Sequence, residues 1–463
     1  MDRPRGPAPL RTAAIALTSA LAGGGLYALA THAASGRPSP TSPQRDVGVA
    51  AAPPDAGPLP GDAGAAAPAS PPQATGGPGA HARGGDALAA LDARIEAERR
   101  AALARPDWVQ WERVASLYRD RARASGDWSD FRRAEKALDR AFELAPAGTG
   151  PHLARAAFNY AMHRLARVGP DLDRVEAYAV VSPSDRAAVA SLRADVAFHS
   201  GRYDEARTLY EAQLARGRTA SALAAYAQWF WKTGDPRRAE ALLREAAAAS
   251  EREPASTRAW ICLVQGLFEL DRGRHDAALA HYRRGLEHTP NDWLLQEHLA
   301  EALALRGDGV IALPLYERLV DRTGSPEFMD AVAEILLERG DREAAAPWIA
   351  RARAAWEERL ALYPEAAYGH ALDHWLTLER EPERTVQMAE ANAEARPNGE
   401  SLTKLAQALL AAGRTADARR AIEQVLASRW STPETHELAA QVYDAAGEPR
   451  LAQRQRDRAA ALR

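Results

Sequence analysis

The chain has 463 residues, room for two or three globular units or for one long repeat array, and 106 of them are alanine. Its net charge is −3, with arginine outnumbering lysine 56 to 3, which excludes the concentrated basic field that a general nucleic-acid binder needs. A single cysteine, Cys262, excludes an intrachain disulfide and any multi-cysteine zinc or iron–sulfur centre.

Residues 1–11 form a basic segment carrying Arg3, Arg5 and Arg11. Residues 12–34 then run 23 positions without a charge, enough to cross a bilayer. The basic flank would stay on the cytoplasmic side, so the chain beyond residue 34 is expected outside. Two readings stay open: an uncleaved transmembrane signal anchor, or a signal peptide cut near Ala28-Leu29-Ala30. Residues 35–85 hold eleven Pro and ten Gly with few large apolar side chains, too little to offset the entropy of ordering. They are expected to be a disordered linker that tethers the folded part.

From Asp86 onward apolar residues recur at helical spacing and no alternating strand pattern is present. Residues 86–106 are expected to form an N-terminal capping helix, with Leu88, Leu91 and Ile95 on one face. A Gly-x-x-x-x-Ala element then repeats. It begins at Gly201, Gly234, Gly273, Gly307, Gly340, Gly413 and Gly447, and its alanines are Ala206, Ala239, Ala278, Ala312, Ala345, Ala418 and Ala452. The steps between those alanines are 33, 39, 34, 33, 73 and 34 residues. The step of 73 holds one skipped unit, in which Arg380 and Thr385 stand where Gly and Ala would. Each position has a physical task. The glycine ends one helix in a left-handed conformation. An acidic residue then favours the start of the next, and the alanine permits close helix approach. Four residues later a bulky side chain such as Tyr210, Leu243, Tyr282, Tyr316, Ile349 or Ile422 packs the pair. Two second helices look extended, at 240–258 and 345–364.

These residues resemble the tetratricopeptide repeat family, most closely over Trp260–Pro290 with Gly266, Gly273, Ala278, Tyr282 and Pro290. The resemblance implies an all-α superhelix of stacked helical hairpins: two degenerate units over 107–186, then about eight over 187–463 ending in a capping helix. In the first unit, Ser125–Asp130 is expected to lengthen the turn. The resemblance also implies a binding platform for protein or peptide segments in a concave groove.

No phosphate loop, nucleophile elbow, His-Glu-x-x-His or paired-cysteine motif is present. The sequence therefore points to a non-enzymatic scaffold of the bacterial cell envelope, without cofactor or metal. It would be inner-membrane and single-pass, or periplasmic if cleaved. The alternatives are a cytoplasmic repeat adaptor, or an enzyme using the His370 and His374 pair one helical turn apart to hold a metal. The resemblance implies that the first helices line the concave surface; with the small residues Ala194, Ala227, Gly266, Ala300 and Ala333 on the packing side, that register would turn one stripe toward the groove. That stripe carries Phe198, Trp231, Trp260, Leu263, Leu267 and Leu270, then Glu297, Glu301, Glu327, Asp330, Glu334 and Glu338, with His370 and His374 beyond. A partner with apolar anchors followed by Lys or Arg is the expected ligand. The family's carboxylate clamp uses Lys, Arg and Asn on this stripe; Leu and Glu stand there instead.

Overall fold

The computed structural model describes residues 79–463, with side chains from residue 88. Those residues form 21 α-helices and no strand. Numbered from the first described helix they are α1 (Gly79–Ala104), α2 (Trp108–Ser125), α3 (Ser129–Leu144), α4 (His152–Ala161), α5 (Val168–Glu176), α6 (Pro183–His199) and α7 (Tyr203–Arg216). Next come α8 (Ala220–Lys232), α9 (Pro236–Ser250), α10 (Ala255–Asp271), α11 (His275–His288), α12 (Trp293–Arg306), α13 (Gly309–Thr323) and α14 (Pro326–Glu338). The last are α15 (Arg342–Leu362), α16 (Pro364–Asp373), α17 (Pro382–Ala395), α18 (Gly399–Ala411), α19 (Thr415–Ala427), α20 (Pro433–Ala445) and α21 (Pro449–Leu462). A 3-10 turn precedes α5, and one π-helical turn, His374–Leu378, follows α16. The basic segment, the apolar run 12–34 and the linker as far as residue 78 lie outside the described residues. Among the described residues no helix is long and apolar enough to cross a membrane.

From α6 onward consecutive helices pack as antiparallel pairs, and each pair stacks on the next. The local causes are those of the repeat. All seven motif glycines adopt positive φ, between 73° and 100°. All seven motif alanines are fully buried where two helices touch. In the irregular unit Arg380 takes the left-handed conformation itself, at φ 56°, and Thr385 fills the alanine position without exposure.

Three local expectations change. Helix α1 starts at Gly79, directly after the last proline of the linker, Pro78, so it takes in residues 79–85. Helix α9 stops at Ser250 and does not run to 258, because Pro254 opens α10 and excludes a continuous helix. Of the two second helices expected to be extended, α15 is the long one, at 21 residues. The turn after α2 needs only three residues: Gly126 takes φ 78° and the Asp127 carboxylate accepts from Ser129 N at 2.8 Å.

The superhelix closes on itself. Trp293 Nε1 donates to Arg123 O at 2.5 Å and Tyr363 OH to Glu135 at 3.0 Å, across 170 and 228 residues of chain. Asn398 Nδ2 donates to His199 O at 2.9 Å, and Gly399 N to Tyr203 OH at 2.7 Å. Ser431 N donates to Lys232 O at 2.9 Å, and Arg272 Nε to Arg463 O at 3.0 Å. At about 34 residues per repeat, a separation of 199 residues is about six repeats. Repeats of the first winding therefore touch repeats lying about a full superhelical turn later. One apolar core runs from Ala194 to Ala452 without interruption.

Candidate functional site

Closure decides where the inner stripe ends up. Phe198, Trp231, Trp260, Leu263, Leu267 and Leu270 are all buried. The Trp231 ring stands edge-on to Phe268 at 5.7 Å, and its indole N–H is held by Asp271. Phe198 packs edge-on to Tyr203 at 5.6 Å, within reach of Trp430 from the opposing turn. Helix α10 is apolar around its circumference and buried from Ala259 to Leu270. A helix of that kind is core. The apolar half of the expected groove is therefore not an open wall. From the opposing turn, Trp430 covers Phe198 and Ser431 N bonds Lys232 O beside Trp231.

The acidic half also turns inward, and most of its members carry a partner. Glu327 is buried and takes Arg359 Nη1 at 2.6 Å on both carboxylate oxygens. Ser325 Oγ accepts from Arg359 Nη2 at 3.0 Å and donates to Glu327 at 2.5 Å, while the guanidinium lies 4.7 Å over the Trp128 ring. Burial pushes the Glu327 carboxyl up, but the Arg359 charge and its other neighbours outweigh it and leave it below its usual value. Asp330 accepts from Trp356 Nε1 at 2.8 Å and pairs with His374 Nδ1 at 2.7 Å. Glu334, half-buried, meets Thr377 Oγ1 at 3.4 Å. Burial, reinforced by the Asp330 and Asp373 charges, raises its carboxyl to about 8. Glu338 is exposed.

His370 and His374 stand in different surroundings. The π-helical turn begins at His374, which faces Asp330, whereas burial drives the His370 imidazole down to about 4. Asp373 between them is bound by Lys404 Nζ at 2.8 and 2.9 Å. Lys232 Nζ lies 3.3 Å from Asp271. In a chain with 56 arginines and three lysines, two of the lysines thus stand in this interior. Glu434 lies within electrostatic reach of Lys404, Asp271, Lys232 and Glu400, residues from both turns of the superhelix. Its side chain is open to water, yet burial raises its carboxyl to about 7.

A buried trio on α12 escaped the sequence reading as a unit. Glu297, His298 and Glu301 are exposed by 1, 0 and 2 %. His298 Nδ1 lies 3.1 Å from Glu297 Oε2 and 2.9 Å from Glu301 Oε2. The signal was present as Glu-His-x-x-Glu, with the two carboxylates flanking the imidazole on one helical face. Burial pushes the Glu297 carboxyl up. It pushes His298 down, but the two carboxylates outweigh it and raise the imidazole. Cys262 is a buried small hydrophobe whose thiol burial raises.

Residues 185–252 match one tetratricopeptide repeat model, and residues 227–292, 263–327 and 403–452 match a second. Residues 185–327 and 403–452 thus carry tetratricopeptide-type repeats. Such repeats generally mediate protein–protein interaction and typically form non-catalytic modules that bind protein or peptide partners. Comparison with curated proteins returns no match. Among solved structures, the Cut9–Hcn1 hetero-tetramer of the APC/C is similar at 14% identity and TM-score 0.39, over 75% of this chain and 73% of that one. The human IFIT1 dimer with m7Gppp-AAAA is similar at 14% identity and TM-score 0.40, over 81% and 94%. A tetratricopeptide repeat protein from Parabacteroides merdae is similar at 16% identity and TM-score 0.33, over 52% and 91%.

Proposed function

We propose that this protein is a non-enzymatic interaction scaffold of the bacterial cell envelope, a closed tetratricopeptide superhelix tethered at its N-terminal side. The supporting sequence features are the basic segment 1–11, the apolar run 12–34 and the Pro/Gly-rich stretch 35–85. The observation that carries the interaction reading is α14. It aligns Asp330, Glu334 and Glu338 at successive turns, passing from half-buried to exposed, so one acidic row leads from the interior to the surface. A partner segment rich in Lys or Arg suits that row. Charge complementarity there sets encounter rate and orientation more than affinity.

Two experiments test this. Alkaline phosphatase fused after residue 85 is active if the repeats lie outside the inner membrane; activity only of a cytoplasm-dependent reporter overturns the envelope placement. Partners captured by the full chain in detergent extract are then measured against Glu334→Lys/Glu338→Lys. Association slowed several-fold, with a flattened salt dependence, is the expected result. Unchanged association excludes the acidic row as the contact.

A further inference from the structure

We propose that Glu297, His298 and Glu301 form a binding site for one divalent transition-metal ion of the zinc class. The three ligating atoms lie within 4.8 Å of one another. The separations from the imidazole nitrogen to the two carboxylate oxygens are 3.1 and 2.9 Å. Zinc bonds of about 2.0–2.2 Å to nitrogen and oxygen set tetrahedral edges of roughly 3.3 Å, so the two edges that meet at the imidazole nitrogen are already near that length.

The second observation is a deficit of hydrogens. His298 Nδ1 carries at most one, and it reaches Glu301 Oε2. Glu297 Oε2 and Glu301 Oε1 are buried and have no hydrogen-bond partner. The ring proton at Nδ1 serves one carboxylate, and the other needs a proton of its own or a cation. A divalent cation at the shared centre takes a lone pair from each residue and balances both carboxylates. The competing acid, Glu327, is committed to Arg359, and Asp330 to His374 and Trp356. The Tyr282 ring stacks on His298 with centroids 5.8 Å apart, which fixes the imidazole plane. Two carboxylates and one imidazole suit Zn2+ and its borderline neighbours over soft-ligand metals. All three ligands come from two turns of one helix, so the ion would hold α12 without bridging repeats.

The experiment uses the full chain, tag-free, stripped with chelator and titrated with Co2+ and then Zn2+. Expected are one equivalent of Co2+ with the visible absorption of a low-coordinate nitrogen–oxygen site, displacement by Zn2+, and a higher melting temperature with metal. His298→Gln and Glu301→Gln each weaken Zn2+ binding at least about tenfold, while Asp330→Asn does not. Circular dichroism establishes that the variants are folded. If neither folds, the wild-type Co2+ stoichiometry and spectrum decide. No saturable equivalent in the wild type overturns the site, as does unchanged Zn2+ affinity in folded His298→Gln.

Discussion

Gly266 lies directly against the ring of Tyr282. A Cβ placed on Gly266 would stand 2.1 Å from Tyr282 Cε1 and 2.7 Å from Cζ. The corresponding small residues in other repeats are alanines, each sixteen positions before the bulky residue of its own hairpin, as Ala194 is before Tyr210 and Ala300 before Tyr316. At Gly266 the ring is pressed so close that even a methyl is excluded. Gly266→Ala should therefore destabilise the fold by ~1–3 kcal/mol, despite the higher helix propensity of alanine. Urea denaturation checks this, and unchanged or increased stability refutes the packing.

Arg380 holds a left-handed backbone where seven other repeats use glycine. A side chain there costs roughly 1–2 kcal/mol relative to glycine, and that of Arg380 is exposed to solvent. Arg380→Gly is expected to stabilise by ~0.5–1 kcal/mol, less than the strain because glycine also gains freedom in the unfolded chain. A lower denaturation midpoint would mean that the arginine side chain contributes more than the strain takes away.

Arg359 and Glu327 form a doubly bonded pair, both nearly sequestered from water. Removing one partner strands the other's charge and typically costs ~3–5 kcal/mol. Arg359→Met should show that loss. Arg359→Met/Glu327→Gln should recover part of it, because no ionised carboxylate remains. A double variant as unstable as the single would show that packing of the guanidinium on Trp128 matters more than its charge.

Stability should fall with rising pH just above neutrality. Glu334 and Glu434 have folded values of about 8 and 7, above the 4.5 of an unfolded glutamate. The folded state thus binds more protons, and their contribution is full below 4.5 and lost as pH rises through 7–8. His199 and His370 act at the other end. Their folded values of about 4 lie below 6.5, so their contribution is full above 6.5 and lost as pH falls through 4. Between pH 6.5 and 8 the two glutamates act in the same direction as Glu297 and His298, whose folded values are also raised. Melting temperature should decline across that window, and Glu334→Gln should flatten the decline. An equal slope in that variant would remove Glu334 as a cause.

The seam between superhelical turns can be opened selectively. Gly201 has φ +74°, and a Cβ on it would lie 2.4 Å from Pro397 O. Gly201→Val should push the opposing turn away while each hairpin survives. Small-angle scattering should show a larger radius of gyration with helical content retained. An unchanged radius would mean that the seam is not held there.

The repeat itself was legible residue by residue. The motif glycines, the buried alanines and even the stand-ins Arg380 and Thr385 follow from chemistry that acts within about twenty residues. What lay beyond reach was the second turn of the superhelix. Spacing placed Trp231 and Leu263 on the inner face, but only the chain some 200 residues away decides whether that face is open. Within the acidic stripe, the pairing of Glu327 and Asp330 was out of reach, because Arg359 and His374 stand 32 and 44 positions from them. The Glu297–His298–Glu301 trio was local enough to be seen, but Glu297 and Glu301 were read as part of the groove stripe, without His298 between them.

In an open solenoid every repeat leans only on its neighbours, so terminal units can fray without disturbing the middle. The contact of Arg272 with the carbonyl of Arg463 breaks that independence. The last hairpin here is a wall of the α10–α11 hairpin, and its removal would uncover residues near the centre of the sequence. Such a chain must bring segments some 200 residues apart together before its inner face is dry, which slows folding. The unit that melts as one is then a whole winding of about six repeats. Damage at either end should therefore register as a loss of cooperativity throughout and not as a shorter rod.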